Sequence, residues 1–273
     1  MDNPPPVALT IAGSDSGGGA GIQADLKTFH AFGVFGCSAI TAVTAQNTLE
    51  VTAVHMIPEE MVREQIRAVA SDIPPDAVKT GMLASAVVVE TVAQAIDEHR
   101  LPNYVLDPVM ISTSGHRLLD REAEDSIRRE LIPLAAVVTP NLHEARVLTG
   151  LSVEAPGDFA DAARAILELG ARAVLVKGGH LAGEEVVDLL LSEEGERVWT
   201  RPRISTAAGH GTGCTLSAAL AAGLAAGRSL PDAAADAVDF VARALADAPG
   251  LGAGCGPINH FVEVRPDADK KSE

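Results

Sequence analysis

Short apolar segments alternate with longer amphipathic segments along most of this chain, and that alternation restricts the folds open to it. Strand-like runs lie at 7–12, 37–45, 77–79, 104–106, 136–138 and 173–176. Helical patterns lie at 22–32, after 58, at 85–99, near 121–131, and from 141 and 158. Two long alanine-rich helices are predicted at 213–226 and 231–246. This alternation predicts an α/β fold with a mostly parallel central sheet flanked by helices.

The alternation changes between residues 185 and 200. Two β-like runs, at 185–191 and 196–200, are separated by a turn-forming segment, which predicts an antiparallel hairpin at the edge of the sheet. No linker or low-complexity stretch divides the chain. We therefore expect a single domain over residues 1–265, followed by a polar tail at 266–273.

The charge and the cysteines of the chain exclude several classes of protein. The 21 basic and 37 acidic side chains leave a formal net charge of −16, which would repel nucleic acids and anionic membranes. The three cysteines form no C-x-x-C pair, which argues against a disulfide framework and a structural zinc site. No signal peptide or membrane-spanning run is recognisable, so we expect a soluble protein of the cytoplasm.

Glycines cluster near the start of the chain, directly after the first predicted strand. Gly17, Gly18, Gly19 and Gly21 match neither the dinucleotide-binding fingerprint nor the P-loop, which disfavours a Rossmann dehydrogenase and a P-loop ATPase. Glycines still let a backbone approach a ligand closely. The cluster is therefore either a ligand-binding loop or an ordinary glycine-rich turn.

The segment His210-Gly211-Thr212-Gly213-Cys214-Thr215 immediately precedes a long predicted helix. Small residues leave the free N–H groups of the helix start accessible, and the helix dipole adds to their attraction for an anion. The same dipole is expected to lower the pKa of Cys214 and favour its thiolate, a nucleophile or proton acceptor. The alternative is an inert cysteine in a tight helix cap.

Two further polar segments follow predicted strands, at the sheet edge where open α/β folds bind ligands. Asp107 follows one strand, and Asn141 and Glu144 follow another. Their spacing of three places Asn141 and Glu144 on one face of a helix start, where a carboxylate could order water around Mg²⁺. An Asn cap followed by a dipole-favoured Glu explains this pair equally well without a function.

Seven segments, in this order, resemble the ribokinase-like small-molecule kinases, and among them the hydroxymethylpyrimidine/phosphomethylpyrimidine kinases of thiamine biosynthesis. The segments are AGSDSGGGAGIQADLKT at 12–28, AQNT at 45–48, KTGML at 79–83, LDPVM at 106–110, TPNLHEA at 139–145, VKGGH at 176–180 and HGTGCT at 210–215. The resemblance covers the chain from Ala8 to about Phe261, and the full set of segments is highly specific.

The resemblance implies a ribokinase-like kinase that uses ATP and Mg²⁺ to phosphorylate 4-amino-5-hydroxymethyl-2-methylpyrimidine and then its monophosphate. The implied pyrimidine site consists of Gly13, Asp25, Gln46, Met82, Val109 and Cys214. The implied catalytic groups are Cys214 and the helix-start N–H groups of Gly211, Thr212 and Gly213. The resemblance places ATP near Asn141, Lys177 and Asp107, and the metal near Glu144 and Asp107. The Gln46 amide can match the donors and acceptors on one edge of a 4-aminopyrimidine.

The resemblance also implies a homodimer, and it leaves two alternative functions open. Pyridoxal kinases share the fold but tend to depart from the AQNT segment, which is intact here. A sensor that binds the pyrimidine without turnover is the other alternative, although every implied catalytic position holds a suitable residue. The chain departs from the family at Ala208-Gly209, where a hydroxyl residue commonly precedes the histidine.

Overall fold

The computed structural model describes residues 4–110 and 121–264, so the predicted polar tail at 266–273 lies outside the described residues. The strands are β1 (Val7–Asp15), β2 (Phe35–Gln46), β3 (Val51–Met56), β4 (Ala77–Thr80), β5 (Tyr104–Leu106), β6 (Val137–Val138), β7 (Ala173–Lys177), β8 (Glu185–Ser192), β9 (Gly195–Pro202), β10 (Ala208–His210) and β11 (Gly256–Pro257). The helices are α1 (Gly21–Ala31), α2 (Glu59–Asp72), α3 (Ala86–Glu98), α4 (Arg121–Ser126, continued by a π-helix at Ile127–Leu131), α5 (Leu142–Thr149), α6 (Phe159–Glu168), α7 (Thr212–Ala225) and α8 (Leu230–Ala246).

Nine of these strands form one sheet in the order β3-β2-β1-β4-β5-β6-β7-β8-β9. The pairs from β2 to β7 are parallel, and the pairs β7–β8 and β8–β9 are antiparallel. The predicted α/β alternation and edge hairpin are therefore confirmed. The sequence did not predict β3, which pairs antiparallel with β2 at the opposite edge. Most β3 side chains are exposed, so the strand lacks the hydrophobic pattern of a buried one.

The side chains of β1 alternate between two apolar cores, one on each face of the sheet. Leu9 and Ile11 belong to the core that packs against α2 through α6. Ala8 belongs to the other core, which includes Phe29 of α1 and Phe240 of α8 together with the alanine-rich face of α7. This period of two is expected for a central strand that is buried on both faces.

The parallel strands place their carboxyl ends at one edge of the sheet. Loops leave this edge after β1 at Asp15, after β4 at Thr80, after β5 at Leu106 and after β7 at Lys177. Open α/β sheets bind ligands in the crevice beside these ends. Within the ranges described, no helix is both long enough and apolar enough to cross a membrane.

Candidate active site

One cavity of about 650 Å³ runs along the carboxyl ends of the strands. Its lining extends from the loops after β1 and β2 to the end of β9, which are on opposite sides of the sheet order. Every residue that the sequence placed in the site lines this cavity except Asp25. The structure therefore brings together segments that the sequence could only place one by one.

The glycine-rich loop after β1 is held by one carboxylate. Asp15 accepts backbone N–H groups of Gly17 at 2.8 Å, Gly19 at 3.0 Å and Ala20 at 2.8 Å. Its Oδ2 also lies 2.8 Å from Nε2 of His210. Burial opposes the charge of Asp15, but these hydrogen bonds hold its pKa below the usual value. The loop is thus ordered by contacts within the protein. Asp15, Ala20 and Gly21 line the cavity, whereas Gly17, Gly18 and Gly19 do not.

The second glycine segment leads into α7 and packs on the first. Gly211 is the N-cap of α7 with φ of +84°, and a Cβ there would lie 1.8 Å from the carbonyl oxygen of Gly19. Only glycine tolerates both constraints. Because Gly211 has no side chain to cap the helix, the first N–H groups of α7 remain available to an anion.

A lysine and two carboxylates surround this helix start. Lys177 Nζ lies 2.8 Å from Oδ1 of Asp107 and 4.0 Å from Oε2 of Glu144. A Cβ built on Gly213 would lie 3.3 Å from Lys177 Nζ, so the cation adjoins the first turn of α7. Burial opposes the charges of Lys177 and Asp107, but their pairing raises the pKa of Lys177 and lowers that of Asp107. The helix start and Lys177 therefore combine free N–H groups with a positive charge, an arrangement suited to an anion. We call this place the anion site.

Asn141 and Glu144 form a reciprocal cap at the start of α5. Asn141 Oδ1 accepts the Glu144 N–H at 3.0 Å, and Glu144 Oε2 accepts the Asn141 N–H at 2.7 Å. Burial raises the pKa of Glu144 to about 7. The structural explanation for this pair is therefore correct, and it leaves the carboxyl group of Glu144 lining the cavity.

The carboxylates of Asp107 and Glu144 suit a metal ion that binds together with a nucleotide. They suit a permanently bound metal ion less well. Among the residues that the structure describes, no cluster of three or more His, Cys, Asp or Glu side chains could hold a metal. The oxygens of Asp107 already accept from Lys177, Thr139 and Ser217. Mg²⁺ commonly keeps several waters and binds one or two carboxylates plus substrate phosphates. Glu144 and Asp107 would hold such an ion, whose charge would offset that of the phosphates.

The prediction that the pKa of Cys214 is lowered is wrong for this structure. Burial raises the pKa of Cys214 to about 11, and the carboxylates of Asp25 and Asp107 raise it further. Lys79 and the Gly21 N–H act in the opposite direction without overcoming burial. Cys214 is therefore a thiol at neutral pH, because desolvation outweighs the helix dipole that the sequence reveals.

Asp25 lies behind the cavity wall, paired with Lys79. Both side chains are fully buried, and Lys79 Nζ lies 2.9 Å from Oδ2 of Asp25. Thr10 Oγ1 donates to the same oxygen at 2.6 Å. The sequence did not single out Lys79, although a lysine at the end of an apolar strand within the KTGML segment is a detectable signal.

The cavity next to β1 and β2 holds the remaining residues of the implied pyrimidine site. Gln46 Oε1 accepts from Thr44 Oγ1 at 3.2 Å, and Gln46 Nε2 lies 3.4 Å from Nε2 of His210. A Cβ on Gly13 would lie 3.3 Å from the Met82 sulfur, so Gly13 leaves room beside that side chain. We call this region, lined by Gly13, Gln46, Met82, Val109 and Cys214, the acceptor end.

The opposite part of the cavity has an apolar wall and a basic rim. The apolar residues are Pro202, Ile204, Leu216, Val241 and Leu245. Arg203 of the rim donates to the carbonyls of Gly183 at 2.8 Å and Gly179 at 3.0 Å. We call this region the donor end. Ala208 and Gly209 lack the hydroxyl that is common in the family at this place. The nearby hydroxyl of Thr206 accepts the Ala208 N–H at 3.0 Å.

A parallel sheet, a cavity across its carboxyl ends and an anion site between the two ends of that cavity define a ribokinase-like small-molecule kinase. Residues 15–259 match the phosphomethylpyrimidine kinase family. A hydroxymethylpyrimidine/phosphomethylpyrimidine kinase of Bacillus subtilis is 49% identical over 94% of this chain and 96% of its own. The chain belongs to the phosphomethylpyrimidine kinase family, and it is a phosphotransferase.

Two solved structures agree with this assignment. A phosphomethylpyrimidine kinase from Clostridium difficile has a TM-score of 0.79 and 43% identity, covering 88% of this chain and 99% of that one. An ADP complex of Bacillus subtilis pyridoxal kinase has a TM-score of 0.87 and 39% identity, covering 94% of this chain and 98% of that one. The same fold therefore occurs in a phosphomethylpyrimidine kinase and in a pyridoxal kinase.

Proposed function

We propose that this protein is an ATP-dependent kinase that phosphorylates 4-amino-5-hydroxymethyl-2-methylpyrimidine and then its monophosphate to the diphosphate, in thiamine biosynthesis. The observation that carries the proposal is the single cavity with an acceptor end, a donor end and the start of α7 between them. Phosphoryl transfer requires mainly positioning and charge stabilisation, and this arrangement supplies both.

Each part of the cavity has a proposed task. The Gln46 amide pairs with the edge of the pyrimidine, while Met82 and Val109 contact its faces. The N–H groups of Gly211, Thr212, Gly213 and Cys214 bind the transferring phosphoryl group. Lys177 contacts the phosphates of ATP as a point charge. Asn141 and Asp107 adjoin the nucleotide, and Glu144 with Asp107 orders the waters of Mg²⁺, whose charge would offset that of the phosphates.

Three further properties belong to the proposal. Residues 1–265 form a single domain, supported by the one continuous sheet. The three cysteines, Cys37, Cys214 and Cys255, are all free thiols, which favours a reducing cytoplasm. A homodimer is supported by the exposed apolar side chains Val54 and Met56, which lie two residues apart on one face of the edge strand β3.

A pyridoxal kinase is the second candidate, because the similar Bacillus subtilis structure with a TM-score of 0.87 bears that name. The AQNT segment, which puts the Gln46 amide into the acceptor end, favours the pyrimidine. A sensor without turnover is the third possibility, and membership of a kinase family speaks against it.

The test offers purified protein Mg²⁺ and ATP with the pyrimidine alcohol, its monophosphate or pyridoxal in separate reactions. We expect monophosphate from the alcohol and diphosphate from the monophosphate, identified by mass spectrometry, and a lower kcat/KM for pyridoxal. Turnover of pyridoxal alone would establish the second candidate. Binding of the pyrimidine alcohol without any product would establish the sensor.

A further inference from the structure

A fully buried ion pair lies beneath the acceptor end. Lys79 Nζ lies 3.0 Å from Oδ1 and 2.9 Å from Oδ2 of Asp25, and both side chains have 0% exposure. Removing two charges from water costs several kcal/mol per ion, and apolar side chains of similar volume often serve folding equally well. Stability alone therefore gives a weak reason for a pair at this position.

The pair is oriented with its cation toward the cavity. Lys79 belongs to the cavity lining, whereas Asp25 does not. Asp25 is fixed from behind by Thr10, whose hydroxyl donates to it at 2.6 Å. A Cβ built on Gly81 would lie 2.9 Å from Lys79 Nζ, so only a glycine lets the backbone after β4 pack this close to the ammonium.

The charge of Lys79 reaches the acceptor end. Burial opposes that charge, but the carboxylates of Asp25 and Asp107 raise the pKa of Lys79, so it stays an ammonium. Lys79 in turn lowers the pKa of Cys214 more than any other group does. The charged groups that act on Cys214 are Lys79 on β4, Asp25 on α1, Asp107 after β5 and Lys177 on β7.

We propose that Lys79 is a positioning residue for the acceptor, whose ammonium, fixed by Asp25, supplies the positive charge that stabilises anions at the acceptor end. Two anions are concerned: the thiolate of Cys214, and the phosphate of the monophosphate acceptor. The role toward the acceptor phosphate rests on the proposed function, whereas the role toward the Cys214 thiolate does not. The pyrimidine alcohol is neutral, so it depends less on this charge than the monophosphate does.

The test uses a variant from which both charges are removed. Lys79→Met alone would leave Asp25 buried and unpaired, which could prevent folding. The double variant Lys79→Met/Asp25→Asn leaves neither partner charged, and the amide at position 25 can still accept from Thr10. Lys27→Met is the matched control, because Lys27 lies on the same helix as Asp25 but is bonded to the Gly18 carbonyl.

The first readout is alkylation of Cys214 by iodoacetamide between about pH 7 and 11, followed peptide by peptide with mass spectrometry. We expect the double variant to react severalfold more slowly at a given pH, because Lys79 lowers the pKa of Cys214 by more than Asp25 raises it, and losing both charges therefore still raises that pKa. The control should react as the wild type does. An unchanged alkylation profile in a folded double variant overturns the proposal, whatever the enzyme turns over.

The second readout is the ratio of kcat/KM for the monophosphate to kcat/KM for the alcohol. We expect this ratio to fall about tenfold in the double variant, mainly through a higher KM for the monophosphate. An unchanged ratio overturns the role of Lys79 toward the monophosphate. If the wild type phosphorylates neither acceptor, the proposed function fails, and the alkylation profile still decides whether Lys79 sets the charge around Cys214.

Discussion

The imidazole Nε2 of His210 lies 2.8 Å from the carboxylate of Asp15, although 195 positions separate them in the chain. Asp15 also holds the glycine-rich loop through three backbone N–H groups. His210 lies directly before the glycine that begins α7. This one contact therefore joins the glycine-rich loop to the anion site and makes them a single structural unit.

Asp15→Ala should disorder that unit. It removes the acceptor of three N–H groups, and we expect kcat/KM for the pyrimidine alcohol to fall about 100-fold, the scale of a misplaced site. Steady-state kinetics and thermal unfolding measure the effect. Asp158→Ala is the matched control, because Asp158 accepts two backbone N–H groups, of Glu154 and Ala155, at the surface. Equal losses of activity in both variants would contradict the role given to Asp15.

Gln46→Met should weaken acceptor binding and leave ATP binding nearly unchanged. The amide lies at the acceptor end, and losing a polar contact there costs about 1–3 kcal/mol, or roughly 5- to 150-fold in affinity for the alcohol. Calorimetric titration with the alcohol and with a non-hydrolysable ATP analogue separates the two effects. Similar losses for both ligands would show that Gln46 does not contact the pyrimidine.

Glu144→Gln and Asn141→Ser should raise the Mg²⁺ concentration required for half-maximal activity without changing affinity for the pyrimidine. Both substitutions keep an acceptor for the cap of α5, so folding is preserved while the carboxylate or the amide is lost. Activity is measured against Mg²⁺ at fixed ATP. A collapse of pyrimidine affinity with unchanged metal dependence would contradict the role given to Asn141 and Glu144 near the metal.

The pH dependence of stability should reveal the ionisation of Glu144. Its pKa is raised by burial from 4.5 to about 7, so its favourable contribution is complete below pH 4.5 and is lost as the pH rises through 7. Glu144→Gln removes this dependence. Relative to the wild type, the variant should gain up to about 3 kcal/mol of unfolding free energy between roughly pH 4 and 8. A constant difference in urea unfolding across that range would contradict the raised pKa.

Cys214→Ser should slow both phosphorylations by similar factors. A general base would matter more for the alcohol, which must lose a proton, than for the monophosphate, whose second pKa is about 6. With its pKa raised to about 11, Cys214 is protonated at neutral pH, so we expect it to act through shape and contact instead. Single-turnover rates with each acceptor measure the two factors. A larger loss for the alcohol would show that substrate binding ionises the thiol.

The sequence indicated most elements of the fold because their patterns are local. Apolar runs of strand length and the 3.6-residue period are visible within each segment, so β1, α3, β5 and the β8–β9 hairpin were placed close to their observed bounds. The edge strand β3 was missed because its exposed side chains carry no such period. The residues that the motifs placed in the site line the cavity, except for Asp25, but the motifs did not indicate the apolar wall of the donor end.

The sequence by itself determined which segments reach the carboxyl edge of the sheet, and it placed glycines, Cys214 and Gln46 in them. Only the tertiary structure decided what each side chain meets there. In the tertiary structure Asp25 is buried in an ion pair with Lys79, and Asp15 contacts His210. Burial there also raises the pKa of Cys214. The reason is that ionisation and pairing depend on burial and on neighbours that are far apart in the chain, which local patterns do not encode.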